Sequence, residues 1–137
     1  MSQAKKWGKA SLRIHSTVMD VKSITNVLQT EPTQAAKKGS LMSPRNPKSA
    51  VFEANMWVLD SRLESDHSIE DHINNLLEFI ERKLPYIKEL MENCQFDLFC
   101  GYSSDSGQGR ICLEAEMVKR LTVIPVDLIF DIYTSSQ

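Results

Sequence analysis

Cysteine is scarce in this chain, with three residues, Cys94, Cys100 and Cys112, among 137. The number is odd and no two are spaced as CxxC, which argues against a disulfide framework and against a zinc knuckle. Reduced, partly buried thiols are expected. Long apolar runs are missing too: none is long enough to span a bilayer, and the basic start at Lys5, Lys6 and Lys9 is not followed by an apolar stretch of signal-peptide length. A cytoplasmic protein without membrane contact follows.

Signatures of common chemistry are also absent. There is no GxxxxGK[ST] and no GxGxxG, so Gly101, Gly107 and Gly109 with their intervening serines read as a hairpin turn. A phosphate cradle would need a long helix after it, and Arg110 leads instead toward a short strand. Ser103, Ser104 and Ser106 lack the GxSxG elbow, and the three histidines, His15, His67 and His72, show no sequence pairing with a serine or cysteine. HExxH is missing. His67 and His72 stand five apart, which rotates them off a common helical face, and the acids beside them, Asp66, Glu70 and Asp71, suit the first turn of a helix. No metal and no cofactor is expected.

What is present is an ordinary domain's worth of apolar residues, 42% of the chain, and a charge that is uneven along it. Residues 1–50 hold nine Lys and Arg against two acids, while residues 51–137 hold seven against sixteen. Within one domain the two halves are expected to meet and offset each other. Nucleic acid is not the expected partner, because Lys5, Lys6, Lys9, Lys37, Lys38, Arg45 and Lys48 lack an interleaved aromatic pattern and the remainder is acidic.

Residues 1–9 read as a flexible basic arm and residues 10–137 as a single domain. Alternation over residues 11–16 marks a first strand, with Leu12 and Ile14 on one face and Arg13 and His15 on the other. Asp20 caps a short helix carrying Val21, Ile24, Val27 and Leu28, which Pro32 ends. Residues 33–50, with Gly39, Pro44 and Pro47, read as a long exposed connection with a short strand near residues 40–42.

Residues 55–62 alternate again, and the reading that puts Met56 and Val58 toward the core turns Trp57 and Leu59 outward. Ser68 then starts the longest helix, whose stripe of Ile69, Ile73, Leu76, Leu77, Ile80 and Leu84 should roof the core. Pro85 kinks it or starts a new segment containing Ile87, Leu90 and Met91. A third strand holds Phe96, Leu98 and Cys100, and a short returning strand is expected at residues 110–113. Residues 114–121 read as a helix with Met117, Val118 and Leu121 inward. The last strand places Leu128 and Phe130 inward and Asp127, Asp131 and Tyr133 outward.

The pattern predicts an α+β fold, with a mixed or mainly antiparallel sheet of four to five strands and helices on one face, ferredoxin-like or related. The spacing of Ser11-Leu12-Arg13-Ile14, Asp20, residues 24–28, Pro32-Thr33, Lys38-Gly39, Trp57-Val58-Leu59 and Asp131-Ile132-Tyr133 resembles the bacterial family called domain of unknown function 4279 (DUF4279). That resemblance implies no activity and no catalytic residues.

The open sheet face is the candidate site, carrying Arg13, His15, Trp57, Asp97, Asp127, Asp131 and Tyr133, with residues 33–50 at its edge. Mixed aromatic and charged surfaces of this kind suit a small-molecule pocket or a protein contact. The function expected is therefore a non-enzymatic binding or protein-interaction module. The alternative is a small enzyme, a hydrolase or isomerase, built on His15 with Asp127 and Asp131. A homodimer burying the same face is the competing use of Trp57 and Tyr133.

Overall fold

In a computed structural model of the chain, residues 6–134 are described. The element order is β1 (Lys6–Ser16), α1 (Val21–Leu28), β2 (Gln34–Ala36), β3 (Asn55–Asp60), α2 (Ile69–Arg82), α3 (Leu84–Leu90), β4 (Gln95–Ser104), α4 (Ala115–Arg120) and β5 (Asp127–Thr134). The strands form one open five-stranded sheet in the order β2-β3-β1-β4-β5. The first four pair antiparallel in the βαββαβ arrangement of ferredoxin-like folds. β5 joins β4 in parallel, after a crossover containing α4, which makes the sheet mixed.

Local chemistry explains the helices. Asp20 accepts a hydrogen bond from the Ser23 amide at 2.8 Å and so caps α1. The helix ends at Leu28, before Pro32 is reached, because Gln29 turns left-handed at φ 51°. Ser68 caps α2 in the same way, accepting from the Asp71 amide at 3.0 Å. The Asp71 carboxylate does not close a capping box and lies instead 3.5 Å from His67 Nδ1. Pro85 sits in the first turn of α3, where its missing donor costs nothing.

β1 is the central ruler of the sheet. Ala10, Leu12 and Ile14 are fully buried under the helices, while Trp7, Lys9, Ser11, Arg13 and His15 point to the other side. Residues opposite one another in a ladder share a face, so the register extends this division across the sheet. Leu12 faces Leu59 and Leu98, and Ile14 faces Trp57 and Phe96. Ile69, Ile73, Leu76, Leu77 and Ile80 of α2 are at most 1% exposed and close this layer from above. Each such side chain contributes at most about 1.5 to 3 kcal/mol by burial.

The register corrects the expected phase of β3. Trp57 and Leu59 point into the core, and Met56 and Val58 take the open side opposite His15 and Arg13. Trp57 is fully buried, and its indole donates to Thr25 Oγ1 at 3.0 Å. Other boundaries also move. β1 begins at Lys6, so residues 6–9 pair with β4 and are no loose arm, while residues 1–5 of that expected arm lie outside the described residues. Residues 34–36 form β2, and the strand expected near residues 40–42 is reduced to one bridge between Leu41 and Val51. Residues 110–113 form no strand, because β4 runs on to Ser104 and the chain turns later, with Gly107 at φ 73°. Val118 faces outward at 47% exposure, leaving Met117 and Leu121 to pack inward. No helix among the described residues is long and apolar enough to cross a membrane.

Candidate functional site

The open side of the sheet is organised around Asp97. Antiparallel pairing sets Asp97 of β4 directly opposite Arg13 of β1, and His15 follows on the same face. Arg13 donates from Nε to Asp97 Oδ1 at 2.7 Å and from Nη2 to Oδ2 at 3.1 Å. His15 Nε2 lies 2.8 Å from Oδ2. The Arg13 guanidinium also stacks 4.4 Å from the centre of the Phe99 ring, which fixes its plane.

Asp97 is 6% exposed, and its electrostatics are a contest. Burial pushes its carboxyl up, but the hydrogen bonds and charges of His15 and Arg13 outweigh that and hold it below the usual carboxylate range. Both oxygens of an ionised Asp97 are therefore committed to the Arg13 guanidinium, and Oδ2 to His15 as well.

A hairpin closes one end of this face. Met42 donates its amide to Ala50 at 2.8 Å and Phe52 donates to Ser40 at 2.9 Å, while Gly39, at φ 88°, reaches back to the Phe52 carbonyl at 2.8 Å. Asn55 ties the hairpin to the body by accepting from the Lys38 amide at 2.8 Å and donating to the Met19 carbonyl at 3.0 Å. Between hairpin and sheet lies a cleft of about 440 Å³. The hairpin contributes Met42, Val51, Phe52 and Glu53, and the sheet contributes His15, Met56, Asp97 and Asp127. Asp127 is exposed at the start of β5, beside Asp97, and neither it nor Glu53 forms an ion pair among the described residues.

The seven sequence candidates separate accordingly. Arg13, His15 and Asp97 form one connected cluster, with Asp127 at the cleft beside it. Asp131 and Tyr133 share the open face but stand in the row of Gly101 and Ser103, so Asp131 is about 20 Å along the strands from His15. Tyr133 donates to Asp131 at 2.5 Å, and this bond raises the phenol above its ordinary value. Trp57 leaves the set altogether, being part of the core.

The sequence left open which acid of the open face pairs with Arg13, and it gave no sign of a second pairing, between Ser61 and His72. Asp97 was one acid among several, although its place between Phe96 and Leu98 in an apolar strand marks a carboxylate that needs a partner. Ser61 hydrogen-bonds His72 Nδ1, a serine–histidine contact that no spacing announced. His72 is fully buried and its Nε2 meets no partner, so the pair belongs to the core and offers nothing to a substrate. Burial holds this imidazole below its ordinary value.

The thiols offer no nucleophile in the cleft. Cys94 and Cys100 are buried, and burial, helped by the Asp97 charge, pushes Cys100 up to about 12. Among the described residues no group of three or more His, Cys, Asp or Glu side chains is placed to hold a metal ion.

The sequence profile of the domain of unknown function DUF4279 matches residues 5–135, and the chain belongs to that family. No curated protein and no solved structure matches it.

Proposed function

We propose that this DUF4279 member is a non-enzymatic binding module that takes a small amphipathic ligand with a cationic group into the cleft under the hairpin. One observation carries the reading: an apolar wall of Met42, Val51, Phe52 and Met56 stands beside two carboxylates, Asp127 and Glu53, that have no ion pair among the described residues. Such a lining favours a hydrophobic body with a positive head. The sheet supplies rigidity, since the Arg13–Asp97–His15 cluster locks the floor of the cleft.

The same cluster disfavours catalysis by Asp97. A carboxylate with both oxygens held by one guanidinium, and with its affinity for protons reduced, is a poor general base and a poor nucleophile. The second reading, a small hydrolase or isomerase, draws on the 2.8 Å contact through which Asp97 orients the His15 ring. Asp131 is too far from His15 to share that chemistry. A homodimer through the open face loses its main aromatic anchor with the burial of Trp57.

Phenethylamine and phenylpropionate, matched in size and opposite in charge, test the proposal by amide chemical-shift titration. The amine should perturb residues around Met56, Phe52 and Asp127, and Asp127→Asn should weaken it. Equal binding of the carboxylate, or shifts scattered away from the cleft, would refute the reading. Hydrolysis of a simple aryl ester that disappears in His15→Gln would favour the enzyme instead.

A further inference from the structure

We infer that the outer edge of β5 is a docking strand for an extended peptide segment in which basic and apolar residues alternate. The inference goes beyond the cleft, because it concerns the sheet's edge and the far end of its face. β5 is eight residues long and last in the sheet, and among the described residues no backbone group pairs with its outer side. The opposite edge, β2, has three residues. A free row of amides and carbonyls of that length is a template for another strand unless proline, lysine or a bulge blocks it. β5 contains no proline and no basic residue.

The side chains define the occupant. On the open side, Asp127 and Asp131 stand four positions apart, and neither meets a cation among the described residues. A strand laid against β5 would present every second side chain to that face, where lysine or arginine would pair with them. On the helix side, Leu128 and Phe130 are only half buried and Ile132 is 59% exposed. The alternate residues of the incoming strand would cover these, and apolar side chains suit that position.

Charge excludes a second copy as the natural occupant. An antiparallel self-pairing with its two-fold axis at Ile129, Phe130 or Asp131 sets aspartates of the two copies directly opposite or diagonal to each other, within about 8 Å. Four carboxylates would then crowd one face. A basic segment removes that repulsion, so electrostatics select a foreign strand over self-association.

An eight-residue peptide of alternating lysine and valine provides the probe, with an alternating glutamate and valine peptide and a blocked sequence of four lysines then four valines as controls. The alternating basic peptide should bind at low salt, weaken as salt rises, and slow hydrogen exchange of amides within β5. Asp127→Asn with Asp131→Asn should weaken it about fivefold, the effect of two exposed ion pairs. Ile132→Lys should weaken it independently, by putting a cation where the apolar side chains lie. The inference is overturned if the acidic or the blocked peptide binds equally well, if protection appears outside β5, or if no binding is seen. It is also overturned if the folded double variant binds unchanged, or if light scattering shows a dimer that Ile132→Lys dissociates.

Discussion

Replacing Asp97 with asparagine tests whether the open face is built around one ionised carboxylate. The substitution keeps the shape but removes the charge that two Arg13 nitrogens and His15 Nε2 approach at 2.7, 3.1 and 2.8 Å. Breaking a fully buried ion pair from one side costs about 3 to 5 kcal/mol. Here the side chains of Arg13 and His15 remain 24% exposed and recover part of their hydration, so about 2 to 3 kcal/mol is expected. The folded carboxyl is held below its unfolded value, so its contribution is present above the unfolded value of about 4 and is lost as pH falls through the lower folded one. The difference between wild type and Asp97→Asn should therefore be full at neutral pH and shrink toward about pH 2. Urea denaturation followed by circular dichroism at several pH values reads both quantities. A neutral-pH difference under about 0.5 kcal/mol, or one that stays constant down to about pH 2, would show that Asp97 is no hub.

Trp57→Ala should cost about 3 to 5 kcal/mol and Trp57→Phe about 1 kcal/mol plus some packing, as urea unfolding would show, because the indole is buried and bonded to Thr25. His72, depressed by burial, should make the protein lose stability as pH falls below the unfolded histidine value of about 6.5. Thermal melts between neutral pH and about pH 5 should show this slope, and it should flatten in a folded His72→Gln variant. A Cβ at position 109 would collide with the Tyr102 ring and hydroxyl, so Gly109→Ala should destabilise by about 1 to 3 kcal/mol, whereas a Cβ at Gly8 comes no nearer than 3.0 Å to the Ile69 side-chain end and 3.5 Å to the His67 carbonyl, so Gly8→Ala should cost less in the same melts.

The sequence was legible where polar and apolar residues alternate strictly. β1, with Leu12 and Ile14 against Arg13 and His15, and β5, with Asp127 and Asp131 on one side, have one apolar face each, so period two fixes their orientation. β3 offers Met56, Trp57, Val58 and Leu59 in succession, apolar in both phases. Only the pairing of Leu59 with Leu12 and of Trp57 with Ile14 decides which pair is inward, and that register is a tertiary fact. For the same reason alternation placed Arg13, His15, Asp97, Asp127, Asp131 and Tyr133 on the open side of the sheet, where the register has them, and misplaced Trp57, which lies in the core. The hairpin of residues 39–52 was illegible because backbone bonds and a left-handed glycine make it, with no apolar period to read.

Charge segregation along the chain joins the two binding readings. The basic first half and the acidic second half meet in the β1–β4 ladder, where Arg13 neutralises Asp97 and His15 hydrogen-bonds it. The offset stops there. Lys38, Arg45 and Lys48 form no ion pair among the described residues, and neither do Asp127 and Asp131 at the other edge of the sheet. The strand order explains the remainder: β1 and β4 are neighbours, whereas β5 is held from β1 by the whole width of β4. Asp127, exposed, and Asp131, partly exposed and bonded by the Tyr133 hydroxyl, consequently have no counter-charge among the described residues, and burying them against anything but a cation would cost desolvation without return. A cationic ligand in the cleft and a basic strand on the edge answer the same unmatched field at two places. Asp127→Asn alone should therefore weaken both phenethylamine and the alternating basic peptide, while Asp131→Asn should weaken only the peptide. Titrating the two variants with the two probes checks this, and equal sensitivity of phenethylamine to both substitutions would refute the separation of the sites.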